Sequence, residues 1–93
     1  MAIGAAMEDL AILLQEARVA WDMADLPALR MRGLGIQGLA DRLGMTLLTQ
    51  VAGDIIALCG SRDDAALAAT VARLLRVGEH SLFAVWDAQL PAS

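Results

Sequence analysis

The sequence predicts an all-α fold, a four-helix antiparallel up-down-up-down bundle. Three observations carry that prediction. Apolar residues recur in alternating steps of four and three along four separate stretches, the period of helices packed on one face. β-branched residues do not cluster, and the only prolines are Pro27 and Pro91. The breaks between the four stretches are short, as antiparallel neighbours in a bundle require.

The first helix is expected over about residues 5–23, with Ile3, Met7, Leu10, Leu14, Ala17 and Trp21 on one seam. Asp25 is the natural N-cap of the second, and Pro27 falls in its first turn, where a missing N–H costs nothing. That helix aligns Leu26, Leu29, Gly33, Ile36, Ala40 and Leu43, and Gly44 stops it from the position just past its end. The third starts near Met45 and buries Leu48, Val51, Ile55 and Leu58. Gly60-Ser61-Arg62-Asp63-Asp64 is the one polar turn of any length; Ser61 or Asp63 can cap the fourth helix, and the aspartates suit its positive end. The fourth helix buries Leu67, Val71, Leu74, Gly78 and Val85 and ends near Gln89, ahead of Pro91. Trp21 and Trp86 read as core plugs at the ends of the bundle.

Composition bounds the function. The 93 residues are 58% hydrophobic and 19% charged, which is one domain over 1–93 with a core of its own and not a disordered chain. Seven arginines, no lysine and eleven acids give a net charge of −4. The arginines are scattered, so no basic patch offers itself to nucleic acid. A single cysteine, Cys59, makes no internal disulfide, and with one histidine it makes no zinc site. The first residues carry no basic stretch before Glu8 and Asp9, and no apolar run is long enough to span a membrane. A soluble, cytoplasmic protein is the expectation.

Catalytic signatures are missing, and the expectation is a protein that is not an enzyme and takes no cofactor. Gly33, Gly35 and Gly38 lie inside a helical pattern, without the strand that a dinucleotide site needs before them. Di-iron bundles use Glu-x-x-His pairs, and the chain has none. Asp54 reads as a solvated residue. Cys59 reads as a small apolar residue at the end of the third helix. His80 reads as a partly exposed helix histidine, with no cation following it at helical spacing.

The second helix carries a resemblance. The stretch Asp25-Leu-Pro-Ala-Leu-Arg-Met-Arg-Gly-Leu-Gly-Ile-Gln-Gly-Leu-Ala-Asp-Arg-Leu-Gly44 resembles the signature helix of histidine phosphotransfer (HPt) domains. That family reads roughly Asp-Leu, a run of Ala and Leu, His-x-Leu-Lys-Gly-Ser-Ala, then Leu-Gly. Ile36 falls on its Leu, Gly38 on its Gly, Ala40 on its Ala, and Leu43-Gly44 on its Leu-Gly. The spacing holds without a gap from about Glu8 to Trp86. The family's phosphorylated histidine falls on Leu34 and its lysine on Gln37. A second register sets Arg32-Gly33 on Lys-Gly and the histidine on Leu29, but it loses Leu-Gly. Neither register supplies an imidazole. The resemblance therefore implies an HPt-like bundle without phosphotransfer, whose partner is a response-regulator receiver domain or a histidine kinase.

Spacing gives that helix a second face. Leu34 stands beside the seam, with Met31 three residues before it and Gly38 four after it. Arg30, Gln37 and Asp41 surround them. An apolar spot with a polar rim is a docking face; the plainer reading is that Met31 and Leu34 widen the core. Two further readings stand beside the docking module. The high apolar content suits a self-associating structural bundle, a homodimer formed over this same patch. The other is a phosphotransfer protein that uses His80.

Overall fold

The structure, a computed structural model, describes residues 3–89. Pro91, which the sequence places after the last helix, and the side chain of Ile3, placed at the head of the first seam, lie outside the described residues. The chain forms four helices: α1 (Ile3–Asp22), α2 (Leu26–Arg42), α3 (Thr46–Cys59) and α4 (Asp64–Gln89). Each packs on the next and α4 returns to α1, with no diagonal contacts, giving an antiparallel up-down-up-down bundle about 49 × 22 × 22 Å.

Helix boundaries follow local chemistry. The Asp25 carboxylate accepts from the Ala28 N–H at 3.1 Å and the Asp63 carboxylate from the Ala66 N–H at 3.0 Å, so both aspartates cap the helices they precede. Pro27 sits in the first turn of α2. Of the two candidate caps before α4, Asp63 holds the helix, while the Ser61 hydroxyl donates back to the Leu58 carbonyl and accepts from the Asp63 N–H.

The two tightest connections share one geometry. After α1, Asp25 N–H donates to Ala20 C=O at 2.8 Å and Ala24 N–H to Trp21 C=O at 3.0 Å. After α2, Met45 N–H donates to Ala40 C=O at 2.9 Å and Gly44 N–H to Asp41 C=O at 3.1 Å. Both are Schellman turns, which need one residue in the left-handed region. Gly44 takes it at φ +73°, free of strain; Ala24 takes it at φ +55°, where a Cβ crowds the backbone.

The core is apolar throughout. Met7, Leu10, Leu14, Ala17, Leu29, Ile36, Ala40, Leu48, Val51, Ile55, Leu67, Val71 and Leu74 are buried, as the seams predict. Ala6, Ala20, Leu39 and Ala52 join them because three residues per heptad, not two, face the centre. No polar or charged side chain is buried among the described residues. The half-buried hydroxyls of Thr49 and Thr70 donate back to the Met45 and Ala66 carbonyls. Gly78 is where α4 meets α1: a Cβ there would lie 2.6 Å from a methyl of Leu14. One ion pair, Arg32 with Glu16 at 3.1 Å, ties α2 to α1 from a half-exposed position and adds little stability.

Some positions depart from the seams. Trp21, Leu26, Leu43, Leu58 and Val85 are half-buried, and Trp86 is no core plug: it is 57% exposed. The reason is phase. At 3.6 residues per turn, Trp86 lies about 120° around α4 from the buried Leu74 and about 80° from the buried Gly78, on the flank it shares with the exposed Phe83.

Two stability predictions follow from these positions. Leu14→Ala and Leu74→Ala should each cost about 2–5 kcal/mol, as core cavities do; urea denaturation losses under about 1 kcal/mol for both would mean the seams are misassigned. Ala24→Gly should raise stability by about 0.5–1 kcal/mol by relieving the left-handed alanine, while Gly44→Ala should lower it by about 1 kcal/mol or more. Opposite shifts of the two denaturation midpoints at constant slope are the expected result.

Candidate functional site

The second face of α2 is open to solvent. With 3.6 residues per turn, Leu34 and Gly38 each lie about 160° around the helix from the buried Ile36, and Met31 about 140°. Met31 is 60% exposed and Leu34 40% exposed. Neither widens the core. A Cβ built on Gly38 meets nothing within 4 Å, so the backbone there is approachable from outside. Arg30 and Asp41 are also exposed. The structure thus brings Arg30, Met31, Leu34, Gly38 and Asp41 together on one outward strip of α2.

Gln37 belongs to the edge of that strip. It is half-buried, and its Nε2 lies across Gly53 of α3, 2.9 Å from where a Cβ on that glycine would be. The amide therefore crosses the α2–α3 seam at a point where α3 presents no side chain. At the other end, Leu26, Pro27, Arg30 and Met31 line a shallow hollow with Cys59 of α3 and Gly60 just past its end. Burial pushes the Cys59 thiol up from its ordinary value, and the Arg30 guanidinium beside it pulls it part of the way back. The thiol is a weak nucleophile at neutral pH.

His80 lies elsewhere, exposed on α4, in a hollow lined by Leu47, Arg76, Val77, Ser81 and Ala84. No cation follows His80 at helical spacing, but one stands a turn before it, at Arg76, a spacing equally visible in the sequence. Asp54 is exposed. Among the described residues no three of His, Cys, Asp and Glu come together as a metal site. No helix among them is long and apolar enough to cross a membrane.

The chain matches no protein-family model, and neither the curated proteins nor the solved structures contain a match to it. The geometry of the α2 strip accordingly stands on its own residues. Among the described residues no cluster of metal-ligating side chains lies on it. What it can do chemically is make contact: methionine and leucine for apolar burial, a bare glycine for close approach, and one charge of each sign at the rim.

Cys59 tests the local electrostatics. Its alkylation by iodoacetamide near neutral pH should be slower in the folded protein than in urea, because the raised thiol is less ionised. Arg30→Ala removes the only lowering influence, so the thiol rises further and alkylation slows again. A faster reaction in that variant would show that Arg30 shields the thiol and does not ionise it.

Proposed function

We propose that this chain is a protein-docking module that binds its partner through the outward strip of α2 centred on Leu34. The observation that carries the reading is the exposure of Met31 and Leu34 on the side of α2 turned away from the core, next to an open Gly38. A large exposed apolar pair with a polar rim is what a small interface centre looks like before it is covered. The likeness of α2 to the HPt signature supplies the partner class: a response-regulator receiver domain or a histidine-kinase element. Leu34 occupies the position of the family's phospho-accepting histidine, so docking acts by occupancy and transfers no phosphoryl group.

The Leu34→Glu variant tests this. Leu34 faces outward, so the stability loss should stay near or below about 1 kcal/mol, as at surface sites. Burying the new carboxylate against a partner's apolar surface costs several kcal/mol, which weakens binding about a hundredfold or more. Circular-dichroism melting and a titration against the host's receiver domains, run on the same variant, should show an unchanged transition and lost binding. A collapsed melting temperature would make Leu34 a packing residue and remove the docking face.

One observation favours a second reading, phosphoryl acceptance by His80. It is exposed and shares its hollow with Arg76, a cation able to offset phosphoryl charge. Incubation with a phosphorylated receiver domain separates the two. The docking reading expects no acid-labile label on this chain; stoichiometric label that disappears in His80→Ala would replace it.

A further inference from the structure

The outer face of α4 carries an unpartnered heptad. Ala69, Ala72, Arg76, Glu79, Phe83 and Trp86 follow one another in steps of three and four, and every one of them is exposed. Phe83 is 71% exposed and Trp86 57%, so two of the chain's three aromatic residues stand in solvent on one side of one helix. The opposite side of α4 is the one that packs into the bundle, through Leu67, Val71, Leu74 and Gly78. A regular three–four seam on the far side of a helix already buried on its near side is unnecessary for the fold. It is the pattern of a helix that pairs twice.

We propose that two copies of this chain associate through this face, α4 against α4 in antiparallel orientation about a two-fold axis between Val77 and Gly78. The seam is complementary to itself in that register. Phe83 of one copy faces Ala72 of the other, and Trp86 faces Ala69, so each large ring meets a methyl and the axes can approach to about 8–10 Å. Arg76 of each copy faces Glu79 of the other, giving two symmetric ion pairs across the axis. Within one chain neither residue is taken: the only ion pair among the described residues is Arg32 with Glu16. Parallel pairing sets Arg76 against Arg76 and Glu79 against Glu79, which repel. Sliding the antiparallel register by one heptad one way sets the aromatic rings against the charges; the other way carries Trp86 past the start of α4 at Asp64 and parts Arg76 from Glu79. Charge and size thus select one occupant, a second copy, and one arrangement.

This interface is separate from the α2 strip. Helices α2 and α4 occupy diagonal corners of the bundle and make no contact, so self-association leaves both Leu34 faces open. Sedimentation velocity over a concentration series tests the proposal. The 9.8 kDa chain should sediment as a dimer at high concentration and dissociate on dilution. Replacing both rings, Phe83→Ala with Trp86→Ala, should weaken association about a hundredfold or more, as loss of central aromatic anchors does. Arg76→Glu alone and Glu79→Arg alone should each weaken it about tenfold, and the two together should restore it to near the wild-type value. All these positions are exposed, and unchanged melting curves will confirm that the variants fold. A monomer at every concentration would overturn the proposal. So would single charge reversals without effect, a double reversal that fails to recover, or a dimer lost in Leu34→Glu and retained in the α4 variants.

Discussion

The rest of this structure depends on an interior without a single buried polar side chain among the described residues. Such a core has no hydrogen bond to satisfy and no charge to neutralise, so register comes from shape alone. The shape is set by leucine and isoleucine alternating with alanine and glycine, most tightly where Leu14 of α1 reaches over Gly78 of α4. The same constraint decides where function can sit. Nothing inside can titrate, ligate or attack, and whatever the protein recognises must meet an outer face.

Much of this was legible because helical period is a local property. The seam residues from Met7 to Leu74 were assigned from spacing, and so were the caps at Asp25 and Asp63 and the stop at Gly44. Leu34 was placed off the seam by the same arithmetic. What was not legible depends on partners distant in sequence. Trp86 follows Val85 at the edge of the buried seam, and whether that edge is covered depends on how the neighbouring helices pack against it. Ala24 in a left-handed conformation carries no sequence signal, since glycine or asparagine is the residue expected there. The turn is imposed by the helices on either side of it.

The two outer faces differ in kind. The α2 strip presents an apolar centre, Met31 and Leu34, with one charge of each sign at its edge. The α4 seam is self-complementary, ring to alanine and arginine to glutamate. A surface that matches itself is satisfied by a second copy. That match is the physical reason for proposing a homotypic role for α4; the heterotypic role proposed for α2 rests on its likeness to the HPt signature.

If both faces are used, their geometry has a consequence for binding. Leucine at position 34 cannot be modified as an imidazole can, so contact through α2 has no covalent switch at its centre and is governed by concentration and affinity alone. Pairing through α4 would add the missing control. A dimer carries two α2 strips on opposite flanks, and a partner that is itself dimeric or clustered binds the second strip at a raised effective concentration. The gain vanishes when the dimer dissociates, with no change at either α2 surface. Self-association would thereby tune the avidity of docking from a distance, through a helix that does not touch α2.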